Sequence, residues 1–181
     1  MMKRAGDTKK TINVIQGDYA VSEESETVLT TVLGSCVAAC LYDPHARIGG
    51  MNHFLLPGAK ADDSISMSYG LNAMELLIND MLKRGARRKN FRAKLFGGAS
   101  MRKGLTDIGS QNARFAKEFL ECEGIICESE SLGGTSARRL RFWPTSGRAQ
   151  LKIIGDVSVV KPAVTKRKII KPAEASELEL F

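Results

Sequence analysis

Histidine is scarce in this sequence: 181 residues hold only two, His45 and His53, beside four cysteines. No cysteines form a C-x-x-C pair, so no zinc set is assembled and no metal site is expected. The G-x-x-x-x-G-K-[ST] spacing of a phosphate loop is missing, and no cofactor is expected. The C-G-[SA]-C-[WY] signature of papain-like proteases is missing too. No apolar run approaches the roughly 18 residues of a membrane span, and the opening MMKRAGDTKK lacks the apolar core of a signal peptide. A cytoplasmic protein with free thiols and no membrane insertion is expected.

What is present describes one soluble globular domain with room for a tail: 43% hydrophobic and 26% charged residues. The net charge of +7 is uneven. Lys83, Arg84, Arg87, Arg88, Lys89, Arg92, Lys94, Arg102 and Lys103 follow one another with no acidic residue between them. Such a run attracts an acidic partner, with Arg87, Arg88 and Arg92 as its docking candidates, or else is an ordinary solvated face. It lacks a recognition-helix motif and interleaved aromatics, which argues against nucleic acid.

Along the chain, residues 1–11 read as a disordered N-terminus, 12–160 as the folded domain and 161–181 as a flexible Lys-, Pro-, Ala- and Glu-rich tail. Ile12 to Val21 reads as an edge strand interrupted at Gly17-Asp18, and Val28 to Leu33 as a strand. Ala59 to Ser66 reads as a polar loop. Ala73, Met74, Leu76, Leu77, Ile78, Met81 and Leu82 recur at helical spacing up to Gly85. A strand over Phe91 to Phe96 precedes Gly97-Gly98, a helix spans Ser110 to Glu123, and a short strand spans Ile125 to Glu130. Arg138 to Trp143 and Arg148 to Ile154 flank a turn and form a hairpin.

The stretch TTVLGSCVAACLYDPHARIGGMNHFLLP, Thr30 to Pro57, carries the chemistry. Cys36 to Tyr42 reads as a buried strand, Asp43-Pro44-His45 as a turn, and Ile48 to Leu56 as the returning strand, with a bulge or close approach at Gly49-Gly50. A fold centred between Pro44 and His45 sets Cys36 directly opposite His53, with Cβ atoms about 4.5–5.5 Å apart. His45, nine residues along a strand, would lie roughly 30 Å from Cys36. A cysteine beside an imidazole is an arrangement for nucleophilic catalysis, and a neighbouring imidazolium would lower the thiol pKa. The competing reading makes Cys36 a small buried hydrophobe and His53 a satisfied strand residue. A strand over Val28 to Leu33 beside the hairpin would let the Thr30 hydroxyl approach His53.

The ordered series GSC, GGMNHFLLP, KLFGGASM, IGSQNARF, SLGG and RRLRFWPTSGRAQLK resembles the chemoreceptor glutamine deamidase family, CheD, from about Val14 to Lys152. The resemblance implies a layered α/β sandwich with a mixed, largely antiparallel sheet and two main helices. It puts the nucleophile on Cys36, the base on His53 and the third polar residue on Thr30. Its departures are Gln111, Ser131 and Ala137, where the family usually has Arg, Asp and Gly; they bear on the Gly133-Gly134 loop. The implied activity converts receptor glutamines to glutamates. Backbone near Gly34 and Ser35 would support the oxyanion, and Gly97, Gly98, Gly133 and Gly134 would border the substrate. The implied partners are methyl-accepting chemotaxis receptors and a CheC-type phosphatase. The alternative is a non-catalytic binding module that regulates such a phosphatase.

Overall fold

The computed structural model describes residues 10–57, 63–100 and 108–154. Its elements run β1 (Lys10–Asn13), β2 (Tyr19–Ser22), β3 (Thr27–Leu33), β4 (Val37–Asp43), β5 (Ile48–Asn52), α1 (Asp63–Lys83), β6 (Arg92–Gly97), α2 (Ile108–Cys122), β7 (Ile126–Leu132), β8 (Arg138–Trp143) and β9 (Arg148–Ile153). They form two sheets, in the orders β1-β3-β8-β9 and β2-β5-β4-β6-β7. The pairs β1-β3 and β6-β7 are parallel and the others antiparallel. The expected layered α/β fold with mixed, largely antiparallel pairing and two main helices is present, its strands divided between two sheets packed face to face.

Every residue of β4 is buried, which explains its continuous apolar run. The pleat sets the packing: Val37, Ala39 and Leu41 face Met74, Leu77, Ile78 and Phe119 of the two helices. Ala38, Cys40 and Tyr42 face the other way, against Leu29, Leu33, Leu140 and Phe142 of the four-stranded sheet. Each fully buried large apolar side chain contributes about 1.5–3 kcal/mol, so both seams hold the layers firmly.

Several boundaries differ from the sequence reading. Lys10 and Thr11 belong to β1, and the edge strand read over Ile12 to Val21 is two strands in different sheets. The helix α1 begins at Asp63, ten residues before its apolar stripe, so Ser64 to Ser66 are helical rather than loop. Its early turns expose Ile65 and Met67, which hid the helical period. Residues 1–9, 58–62, 101–107 and the tail read over 161–181 lie outside the described residues.

The β4-β5 hairpin is centred one residue later than expected, with Asp43 opposite Ile48. Asp43 is the reason. Its Oδ1 accepts the His45 and Ala46 N–H groups at 2.9 and 3.0 Å, closing a four-residue turn. Its Oδ2 accepts the Arg87 N–H at 2.9 Å and the Asn90 amide at 3.3 Å. Burial alone would raise the carboxyl pKa, but these hydrogen bonds outweigh it and hold it below the ordinary value.

Gly49 and Gly50 pair in regular register, so they mark a close approach and not a bulge. A Cβ on Gly49 would lie 2.4 Å from the Pro144 carbonyl oxygen, and one on Gly50 2.6 Å from that of Ala20. Gly49→Val should therefore cost at least about 2 kcal/mol, because backbone on both sides must move. Chemical denaturation checks this, and a midpoint equal to the wild type would refute it.

Candidate active site

Cys36 ends the three-residue link between β3 and β4, and this link is held from several directions. Its carbonyl accepts the Gly98 N–H at 2.8 Å, and the Gly34 carbonyl accepts the Ala99 N–H at 2.8 Å. Gly97 sits at φ 113°, and a Cβ there would come within 2.1 Å of the Cys36 carbonyl oxygen. Only glycine allows that approach. The Gly97 carbonyl in turn accepts the Gly133 N–H at 2.9 Å, and the Gly134 carbonyl the Ser100 N–H at 2.8 Å. The glycines singled out from sequence thus stand side by side around the Cys36 link.

A two-way backbone bridge joins Val37 to Phe54, with N–H···O distances of 3.0 and 2.9 Å. Cys36 is thereby diagonal to His53, where direct opposition was expected. A register change of two residues leaves the face unchanged. Val37 and Phe54 turn to the helix side; Cys36 and His53 share the opposite side, toward the four-stranded sheet. His45 sits in the hairpin turn at the far end of β4, as the distance argument requires.

Two groups from the four-stranded side meet the imidazole. His53 Nδ1 lies 2.9 Å from Thr31 Oγ1 and 3.2 Å from the Val14 carbonyl oxygen. A carbonyl only accepts, so Nδ1 carries the proton and Nε2 is the free base. Nε2 is buried, with no hydrogen-bond partner among the described residues.

The expected third residue is corrected here. Thr30 donates its hydroxyl to the Leu140 carbonyl at 2.9 Å, and it is Thr31 that reaches His53. On β3, Leu29, Thr31 and Leu33 point inward while Val32 is exposed, so strand parity decides between the threonines. The alternation of Leu29 and Leu33 was the available signal.

Asn112 was also missed. Fully buried on α2, it accepts the Leu56 N–H and donates to the Ser35 carbonyl, both at 2.8 Å. It ties the link carrying Cys36 to the strand end carrying His53. Arg138, buried at the start of β8, donates to the Ser131 and Gly133 carbonyls and so fastens the Gly133-Gly134 loop. Ser131 also gives Arg138 a hydroxyl oxygen at 3.1 Å.

The three docking arginines lie elsewhere. They cluster where β6 begins, while Gly97 beside Cys36 ends that strand, about 17 Å away at 3.3 Å per residue. Arg88 pairs with Glu123, and Arg92 with Glu128 at 3.8 Å. Among the described residues no carboxylate pairs with the Arg87 guanidinium. No group of three or more His, Cys, Asp and Glu suited to a metal is found among the described residues.

Burial raises the Cys36 thiol pKa above its ordinary value, and its own backbone N–H pulls it back only in part. Burial also lowers the His53 pKa, against the opposing pull of the Val14 carbonyl. At rest the pair is therefore a neutral thiol and a neutral imidazole, not the ion pair expected from sequence. Cys40, fully buried, is pushed up further still and serves as core.

A family model described as CheD chemotactic sensory transduction matches residues 55–153. An Acidiphilium cryptum protein named "Probable chemoreceptor glutamine deamidase CheD" is 50% identical across 97% of this chain and 95% of its own. The chain belongs to the CheD family. A Caulobacter sp. (strain K31) protein of the same name is 49% identical over 94% of this chain and 92% of its own. The CheD model match begins beyond Cys36 and His53, so the full-length relatives are what extend the likeness across the site. Among solved structures, a Neisseria meningitidis protein of the DUF152 family aligns at a TM-score of 0.46. It is 11% identical over 70% of this chain and 63% of that one.

The neutral pair has a measurable signature. The folded His53 pKa lies below its ordinary 6.5, so the unfolded chain takes up this proton first as pH falls. Stability contributed by His53 is full above 6.5 and is lost as pH drops through the folded pKa. NMR titration of the imidazole should give a midpoint under 6.5; a midpoint above it would contradict the neutral pair.

Proposed function

We propose that this CheD-family chain is a protein-glutamine deamidase that converts receptor glutamine side chains to glutamate with release of ammonia. The observation that carries the reading is a histidine fixed through Nδ1, with Nε2 unpartnered, on the strand face shared with Cys36. The curated names of close relatives supply the substrate class.

In the first step His53 Nε2 takes the Cys36 proton as sulfur attacks the carboxamide carbon, and the carbonyl electrons move to oxygen. Because both groups start neutral, proton transfer accompanies attack instead of preceding it. The Cys36 backbone N–H, on the residue whose sulfur attacks, is the donor we assign to the oxyanion. The oxyanion then collapses, the C–N bond breaks, and the imidazolium protonates the leaving nitrogen to give ammonia. Water adds to the thioester as His53 takes its proton. The C–S bond breaks, glutamate leaves, and the proton returns to sulfur. Thr31 and the Val14 carbonyl hold the ring in the tautomer both halves need.

Each turnover adds one negative charge to the receptor. We place the enzyme in the cytoplasm, consistent with four free cysteines, two of them exposed. No helix of the described residues is long and apolar enough to cross a membrane. A CheC-type phosphatase is the second partner this reading includes. A non-catalytic module docking that phosphatase would leave the buried, unpartnered Nε2 without a task.

Cys36→Ala should abolish ammonia release from a purified receptor cytoplasmic region, at least about a hundredfold, with the fold retained, while Cys40→Ala keeps most activity. Mass spectrometry of receptor glutamines before and after incubation checks the product. Equal loss in both variants would remove Cys36 as nucleophile.

The two threonines separate in the same assay. Thr31→Val removes only the hydroxyl on His53 and should lower kcat at least about tenfold. Thr30→Val, which loses a bond to a distant carbonyl, should stay within about threefold of wild type. The reverse order would restore Thr30 as the orienting residue.

A further inference from the structure

The Cys36 thiol has a partner that neither the motif nor the mechanism above uses. Cys36 Sγ donates to Gln16 Oε1 at 3.3 Å. Gln16 lies on the link between β1 and β2, with its side chain at the solvent-facing edge of the site. Its position is built, because the link is fastened to His53 on every side. The Gly17 N–H donates to the His53 carbonyl at 2.7 Å, and the His53 N–H to the Asp18 carbonyl at 3.0 Å. The Val14 carbonyl holds Nδ1 at 3.2 Å. The Val14 N–H, in turn, is bonded to the Thr30 carbonyl at 2.9 Å, which ties the link to β3. The residue that supplies the base also fixes the segment that carries the amide.

We propose that Gln16 is a catalytic residue, a side-chain amide that accepts from the thiol at rest and donates to the oxyanion during attack. This rests on the deamidase reading and deepens it. A carboxamide is suited to both states because it offers one acceptor and two donors on a single rotatable group. While sulfur holds its proton, Oε1 is the matching end. Once the proton has moved to His53, the negative charge develops on the substrate oxygen within a bond length or two of the sulfur. Rotation about the last side-chain bond then presents Nε2–H to that oxygen, beside the Cys36 backbone N–H. Two donors of this kind form the usual oxyanion site of acyl transfer. The same exposed amide could instead be a resident that substrate must displace. An occluding residue slows turnover and a donor speeds it, so the sign of one substitution separates the two.

The test uses the full chain with Gln16→Ala and Gln16→Glu, each checked for an unchanged melting temperature. On a purified receptor cytoplasmic region, Gln16→Ala should lower kcat about 10²–10³-fold, the loss seen when one oxyanion donor is removed, with KM nearly unchanged. A kcat within twofold of wild type, or a higher one, would overturn the proposal. Iodoacetamide alkylation of Cys36, followed across pH by peptide mass spectrometry, reads the contact without any deamidation. Gln16→Glu puts a carboxylate at the sulfur, beside His53, and should move the alkylation midpoint to higher pH. If wild type releases no ammonia, the deamidase reading fails on its own and alkylation decides: a raised midpoint sustains Gln16 as the sulfur's partner, and an unmoved one overturns it.

Discussion

The site depends on one backbone pairing, the two-way bridge between Val37 and Phe54. Strands β4 and β5 end their regular ladder at Cys40 and Met51, and the chain then diverges into the Cys36 link on one side and His53 on the other. The bridge closes the pair again three residues later. It presses Val37 and Phe54 into the helix-side core and so turns Cys36 and His53 to the seam between sheets. Phe54 is anchored there by an edge-on contact with Phe115 of α2, with ring centroids 5.7 Å apart. Asn112, one turn earlier on the same helix, holds both flanking loops. Cys36 and His53, the nucleophile and base of the proposed mechanism, are thus placed by apolar packing on the far face of the sheet, with hydrogen bonds setting the final geometry.

Burial at that seam decides the resting electrostatics. A thiolate-imidazolium pair gains Coulomb energy but loses hydration on both partners, and here the loss prevails for each group. Among the described residues no carboxylate stands behind His53 to stabilise an imidazolium; its partners are a hydroxyl and a carbonyl, both uncharged. An uncharged orienting group, unlike an aspartate, leaves the imidazole neutral with its lone pair at Nε2. A thiol held protonated by burial is the less reactive form toward oxidation and alkylation.

How much of this was legible follows from periodicity. The pairing of Cys36 with His53 could be read because strand faces alternate with period two, so even a miscounted turn left both residues on one side. The miscount came from Asp43, whose side chain closes a four-residue turn that Pro44 and His45 alone do not specify. The resemblance puts the third polar residue on Thr30, while the inward parity of Leu29 and Leu33 turns Thr31 to His53. The division of the strands between two sheets is not legible locally, since nothing near β3 reveals that it pairs with β8, 110 residues on from Thr30 to Leu140. Gln16 and Asn112 were invisible for the same reason: their partners lie 20 and 77 residues away along the chain.

The basic run teaches the converse lesson, that an uninterrupted block of charge in sequence is not one in space. Arg84 meets Asp80 from the preceding helical turn, Arg88 meets Glu123, and Arg92 meets Glu128. Lys94 sits over the Tyr42 ring at 5.9 Å instead of beside an acid. Exposed pairs of this kind contribute about 0–1 kcal/mol each, yet they offset part of the local field that the block implied. What remains near the start of β6 is centred on Arg87 and Lys89, at the end of the sheet opposite Cys36. A field that decays over about 8 Å at physiological salt reaches the Cys36 end of that strand strongly attenuated. In the proposed mechanism, recognition of the scissile amide therefore falls to the short-range groups around the Cys36 link, the glycine backbone and the neutral amides, and not to the charge that the sequence displays most openly.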